Sequence, residues 1–240
     1  MSGLGTIINV SAIALAGILG SLFGKALKAS VQKTLMAATG LCVLFLGVTG
    51  AMEQMLAIQQ GKLVSGGSMI IIGCFTLGTL IGSWLDIEIR LEQFGGWLKI
   101  KTGSQQDGGF VGAFVDATLT VCIGAMAVVG SIEDGLSGDY SLLAAKAVLD
   151  FIIIFVMTSA MGRGCGFSAI PVGIFQGTIT LLARLLSPVM TDTALSYLSM
   201  TGSMLIFCVG VNLIWGKKFS VANMLPTLIF AVIAAAIWPV

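Results

Sequence analysis

The sequence predicts an all-α fold, a polytopic transmembrane helical bundle of about eight spans, and three observations carry that prediction. Of 240 residues, 57% are hydrophobic and only 10% are charged, with a mean hydropathy of +1.04. A soluble domain carries about 25% charged and about 45–50% apolar residues. The apolar residues also fall into runs of about 20, the length that crosses a bilayer core. Finally, the sparse Lys and Arg residues fall mostly in alternate connections between those runs, as they do in multi-pass membrane proteins. The 32 glycines suit closely packed membrane helices.

The first run, 3–24, has no basic stretch before it; Lys25, Lys28 and Lys33 follow it instead. A cleaved secretory signal has the reverse order, so the run reads as a retained membrane helix. Further runs lie at 34–55, 67–85, 110–131, 141–162, 166–186, 194–215 and 221–240, the last interrupted by Pro226. Seven spans with a re-entrant segment is the alternative count. The whole chain, 1–240, reads as a single integral membrane domain. Helices one to three occupy 1–85, a polar cytoplasmic connection 86–109, and helices four to eight 110–240. In the connection, IEIRLEQFGGWLKIK mixes Leu91, Phe94, Trp97 and Ile100 with Arg90, Glu92, Lys99 and Lys101. That is the pattern of an amphipathic helix lying on a membrane surface, with Trp97 at headgroup depth.

With the amino terminus outside, the cytoplasmic connections hold Lys25, Lys28, Lys33, Arg90, Lys99, Lys101, Arg163, Lys217 and Lys218. The outer connections hold Lys62 and Arg184. The positive-inside rule therefore predicts both termini outside. An inverted repeat of helices 1–3 and 6–8 is also expected. TGLCVLFLGV (39–48) resembles TGSMLIFCVGV (201–211), and Gly5-Thr6-Ile7 matches Gly177-Thr178-Ile179. An offset of five helices turns the second copy over, as in many transporters.

Ionisable groups within the runs are the candidates for chemistry, because each costs about 2.5–3.5 kcal/mol at a helix centre. Asp150 falls near the middle of the fifth span, and Lys146 lies one turn earlier on the same face, the spacing of an intrahelical ion pair. Asp116 falls in the fourth span, about 7 Å cytoplasmic of its centre if that helix is straight. Asn9 and Gln176 supply neutral polar groups within spans one and six, and Pro171 is expected to free a backbone carbonyl near Phe167. The substrate or ion path is therefore assigned to Asp150, Lys146, Asp116, Gln176 and Asn9, with Asn212, Thr118, Thr120, Thr158 and Ser159 as context. The bland alternative is hydrogen bonding between helices.

Two connections stand out. Gly162-Arg163-Gly164-Cys165-Gly166 permits a tight turn or a re-entrant path. SIEDGLSGD (131–139) carries Glu133, Asp134 and Asp139 with no base; it reads either as an acidic outer mouth or as an outer loop in which Asp139 caps the next helix. Gly20/Gly24, Gly78/Gly82 and Gly173/Gly177 mark close helix contacts, within the bundle or in a homo-oligomer.

The chain has no His, no HExxH, no GxSxG and no extramembrane domain, so no enzyme activity, catalytic residue or cofactor is expected. A metal remains unassigned. Cys42, Cys74, Cys122, Cys165 and Cys208 lack paired spacing and read as packing residues. Scattered Lys and Arg exclude nucleic acid; the partners expected are the lipid bilayer and an unknown small solute or ion.

The segments GSIEDGLSGDYSLLAAKAVLDF (130–151), GTIINVSAIALAG (5–17) and ANMLP (222–226) resemble the YqgA/YdfK-type family of bacterial membrane proteins of unknown function. The resemblance spans essentially the whole chain. It implies a bacterial source, a polytopic helical fold and a multi-pass location in the cytoplasmic (inner) membrane, and it supplies no substrate or functional residues. The residues themselves favour a transporter of a small solute or ion; the alternative is a non-transporting scaffold or partner subunit whose buried ion pair is structural.

Overall fold

The computed structural model describes residues 2–59 and 61–238. Helices run over α1 (Leu4–Ala26), α2 (Ala29–Met55), α3 (Ser68–Trp84), α4 (Ile87–Lys101), α5 (Phe110–Cys122), α6 (Ala125–Leu136), α7 (Ser141–Met161), α8 (Ala169–Leu181), α9 (Ala183–Leu186), α10 (Asp192–Trp215), α11 (Val221–Met224) and α12 (Pro226–Ile237). A 3-10 turn, Arg163–Ser168, leads into α8. Five segments are long and apolar enough to cross a membrane: α1, α2, α7, the 163–181 segment and α10. Two bent pairs, α3 with α4 and α5 with α6, bring the count to seven if each is one span. The expected eighth span, 221–240, is a shorter apolar segment from Val221 to Ile237, and residues 239 and 240 lie outside the described residues.

Apolar side chains cover the outward faces as well as the core. Ile7, Leu22, Phe45, Ile72, Leu80, Ile152, Ile174 and Ile229 are all exposed, an arrangement that suits hydrocarbon rather than water. Inside, Phe110, Phe114, Ile13, Ile154, Met157 and Leu205 are fully buried.

Glycines set how closely the backbones approach. A Cβ on Gly17 would lie 2.5 Å from the Cα of Gly166, and one on Gly20 would lie 2.7 Å from the Phe155 carbonyl oxygen, so α1 lies directly against α7 and the 3-10 turn. Gly40 meets Ile214 and Leu213, while Gly47 meets Phe207 and Ser203. The two similar strings, 39–48 and 201–211, thus lie face to face and antiparallel. Gly78 and Gly82 meet Thr227 and Asn223. A Cβ on Gly173 would lie 3.2 Å from Val10 Cγ2, whereas beside Gly177 no neighbour among the described residues lies within 4 Å.

Several expectations need correction. The fourth span is not straight: α5 and α6 meet at a 63° bend, where Gly124 has φ 153°, a conformation suited to glycine. The expected interruption of the sixth span at Pro171 is absent. Pro171 sits in the first turn of α8, where a missing N–H leaves no helical bond unmade. Between α2 and α3, for which the sequence set no expectation, Leu56–Gln59 pairs antiparallel with Lys62–Ser65. The 131–139 stretch is mostly helix, since α6 continues to Leu136.

The IEIRLEQFGGWLKIK helix forms over its expected range as α4, turning 52° from α3 at Asp86, whose φ is 49°. Phe94 packs on Phe114 at 5.9 Å between ring centroids, and Trp97 remains exposed. Residues Lys25, Asp107 and Arg163 line one cavity, and Lys217 pairs with Glu88, so one end of the bundle collects the 86–109 connection and much of the basic charge.

Candidate functional site

Four of the five residues assigned to the path converge. Lys146 and Asp150 project from α7, Asn9 from α1 and Gln176 from α8, all buried. The Lys146 Nζ donates to Asp150 Oδ2 at 2.5 Å, the pair that four-residue spacing on a helix brings together. Asn9 Nδ2 donates to the same Asp150 Oδ2 at 3.0 Å and to Gln176 Oε1 at 3.3 Å. Among the described residues, Asn9 Oδ1 and Gln176 Nε2 are buried without a hydrogen-bond partner. A buried acceptor and a buried donor left in this state cost free energy, and both belong to the same cluster.

A fourth element completes it. Lys146 Nζ also donates to the Val121 carbonyl oxygen at 2.8 Å. That carbonyl belongs to the last turn of α5, where helix termination leaves carbonyls without helical partners. The break at Gly124 therefore supplies an acceptor for a buried ammonium. Broken helices present backbone groups at membrane depth in this way. The sequence expectation placed such a break in the sixth span; the structure places it in the fourth.

Asp116 does not join the cluster. It lies at the Lys/Arg-rich end, in a cavity of about 120 Å3 shared with Glu88, Glu92 and Lys217. Lys217 bridges Glu88 and Glu92, and those carboxylates hold its ammonium above the usual lysine range. A raised lysine value means the bridge is complete at neutral pH and is lost only as pH rises through that value. Raising the pH through that value should therefore remove this contribution to thermal stability, as melts across alkaline pH will show.

Asp134, read from sequence as part of a loop, is buried on α6. Its Oδ2 accepts from the Gly5 amide at 3.1 Å, at the start of α1, where amides lack helical partners and a negative charge is favoured. Asp134→Leu is expected to cost about 1–3 kcal/mol by orphaning that amide, and Asp134→Asn clearly less. Melting temperatures of the purified variants check this. Asp139 precedes the N-cap residue Tyr140, and its Oδ1 accepts from the Ser141 hydroxyl at 2.6 Å and the Ser141 amide at 2.9 Å; the hydroxyl first, then the amide, lower its carboxyl from the ordinary value.

A polar cavity of about 590 Å3 opens at the Lys/Arg-rich end, lined among others by Gly24, Lys25, Asp107, Thr158 and Arg163. Thr158 stands eight residues beyond Asp150 on α7, about 12 Å along the axis, and its side chain is buried. Among the described residues, no group of three or more His, Cys, Asp or Glu side chains is arranged to hold a metal ion. All five cysteines are free.

The apolar outer faces and the set of long apolar helices define a multi-pass helical membrane protein. Residues 4–236 match the family described as "Protein of unknown function (DUF554)", and the chain belongs to that family. It is 29% identical over 225 residues to the "Uncharacterized membrane protein YdfK" of Bacillus subtilis (strain 168), covering 94% of this chain and 92% of that protein. It is 26% identical over 239 residues to the "Uncharacterized protein YqgA" of Escherichia coli (strain K12), covering 98% and 97% respectively. No solved structure shows a significant match.

Proposed function

We propose that the protein is a transporter of a small solute or ion, with the Asn9–Lys146–Asp150–Gln176 cluster on its translocation path. The observation that carries this reading is the convergence of a buried ion pair, two amides and a carbonyl at a helix break, with one donor and one acceptor left unpartnered. Asp150 binds a cation or carries a coupling proton, Lys146 balances it or meets an anionic group, and Asn9 and Gln176 offer neutral ligands. The 590 Å3 cavity forms the cytoplasmic approach, and Asp116 lies beside the cytoplasmic exit. The antiparallel meeting of 39–48 with 201–211 supports an inverted repeat of helices one to three and six to eight. In this reading the protein sits in the cytoplasmic membrane of a bacterium with both termini outside, and it carries no enzyme activity.

Flux into proteoliposomes, measured over a panel of ions and small metabolites, tests the reading. Asp150→Asn keeps an oxygen for Lys146 and Asn9 to donate to but removes the titratable charge. It is expected to abolish flux in protein that still inserts, with a lowered melting temperature because the buried Lys146 charge keeps only neutral acceptors. Undiminished flux in that variant removes the assignment.

The competing reading, a scaffold or partner subunit, is favoured by one observation: Lys146 and Asp150 satisfy each other within the chain, as a structural pair would.

A further inference from the structure

At the end of the bundle away from the Lys/Arg-rich cavity, three helices bring buried polar groups together. α1 and α8 run antiparallel there, joining Asn9 to Gln176 at 3.3 Å and, about one turn further on, Thr6 to Thr180, whose hydroxyl oxygens lie 3.5 Å apart. α6 adds Asp134, fully buried, whose Oδ2 accepts from the amide of Gly5, the neighbour of Thr6. Its Oδ1 is buried with no hydrogen-bond partner among the described residues, and none of their ion pairs includes it. Asp134, the Thr6–Thr180 pair, the Asn9–Gln176 pair and Asp150 thus form a row whose successive members lie a hydrogen bond or one helical turn apart.

The helices around this row are packed closely. A Cβ on Gly5 would lie 2.7 Å from Leu143, and one on Gly135 would lie 2.4 Å from the Thr180 carbonyl oxygen and 2.5 Å from the Ala183 Cβ. No solute fits between them in this conformation, whereas the opposite end opens into the cavity of about 590 Å3. Buried hydroxyls and carboxylates are costly in hydrocarbon, and a row of them through a closed junction serves a charge that moves without opening it. A proton meets that condition, because it passes between oxygens by exchange of O–H bonds, while a metal cation needs the oxygens to part.

We propose that the coupling ion is a proton and that Asp134, Thr6 and Thr180 carry it between this end of the bundle and Asp150, an assignment that rests on the transport reading above. An entering proton adds to the Asp134 carboxylate and passes to a threonine hydroxyl as that hydroxyl gives up its own. It reaches the Asp150 carboxylate through a water held by the unpartnered Gln176 donor and Asn9 acceptor. Only O–H bonds form and break, and Asp150 gains the charge that Asp134 took up. Among the elements packed against α6, α7 brings Lys146 and Asp150, with Tyr140 just before it, α9 brings Arg184, and α10 brings Asp192 and Tyr197; α1 and α8 bring no charged group at this end. Tyr140, Arg184, Asp192 and the neighbouring Glu133 are exposed, and the Tyr197 hydroxyl donates to the Trp238 carbonyl. The buried charges that act on Asp134 are therefore those of the Lys146–Asp150 pair.

The test uses proteoliposomes of the full-length protein with a pH-sensitive dye inside, and the solutes of the flux panel are added outside under an inward proton gradient. Protons moved per solute moved is the quantity read, because a purely structural role for these residues would not change it. Wild type is expected to carry protons inward with its solute. Asp134→Asn keeps an oxygen for the Gly5 amide, and its ratio should fall toward zero. Thr180→Val, of similar shape but without the hydroxyl, should lose proton movement, and Thr180→Ser should restore it. Solute uptake by wild type without protons, or a wild-type ratio in Asp134→Asn, overturns the proton assignment and leaves the transport reading standing. Where Asp134→Asn moves neither, equal proton movement in Thr180→Val and Thr180→Ser overturns it. No flux of any solute or proton in wild type removes both readings.

Discussion

Replacing both members of the central pair at once, Lys146→Met with Asp150→Leu, is expected to give protein that inserts and folds like wild type but moves no solute. Removing one partner of a buried ion pair strands the other charge and costs about 3–5 kcal/mol, whereas replacing both with apolar groups of similar size is often neutral or stabilising. Lys146→Met alone should therefore lower the melting temperature strongly, since Asp150 would keep only the Asn9 amide as a donor. In the double variant, Asn9 still donates to Gln176, and the remaining losses are the Asn9 bond to Asp150 and the Lys146 bond to the Val121 carbonyl, each worth about 1 kcal/mol net. Thermal melts and flux on the same preparations separate the two roles of the pair. Recovered stability without flux assigns it to transport; recovered stability with wild-type flux assigns it to structure.

The second large effect concerns backbone packing. Gly82→Ala is expected to abolish accumulation of folded protein, because its Cβ would overlap the Asn223 carbonyl oxygen and no flexible side chain is there to give way. Overpacking typically costs about 1–3 kcal/mol and more against a rigid neighbour. Displacing Asn223 also removes the acceptor for the Glu88 amide. Gly177→Ala, where no atom lies within 4 Å, is the matched control and should accumulate normally. Fluorescence-detected size exclusion of the two variants reads the difference.

The legibility of the site followed from side chains that stand out against hydrocarbon. Lys146, Asp150, Asn9 and Gln176 are conspicuous in apolar runs, and helical spacing alone joins the first two. The Val121 carbonyl carries no side-chain signature, and a lone Gly124 is one glycine among 32, so the bend that exposes that carbonyl was hidden. Pro171 drew the expectation of a break because proline disrupts helix interiors, but at a helix start it is well tolerated. Asp116 was legible as a charge, whereas its surroundings depended on a bend and on a turn from a distant part of the chain. In the sequence Asp134 reads as a loop residue, because acidic neighbours and Ser137-Gly138-Asp139 resemble a connection. Its burial depends on α1 presenting Gly5 from 129 positions away. The α4 helix was evident from its mixed pattern, but the burial of Glu88 rather than an apolar neighbour depends on Asn223 and Lys217.

Cysteine accessibility on either side of Asn9 tests most directly whether the cluster lies on a path through the membrane. Thr6→Cys and Ile13→Cys, one turn to each side, are introduced singly after the five native cysteines are replaced, and then exposed to a membrane-impermeant thiol reagent from each face. Both native residues are buried. A translocation path predicts that each cysteine reacts in folded protein, Thr6→Cys and Ile13→Cys from opposite faces, with rates altered by the transported solute. Failure of both positions to react from either face, in protein that folds normally, contradicts the account and leaves the buried pair as a structural fastening of α1, α7 and α8.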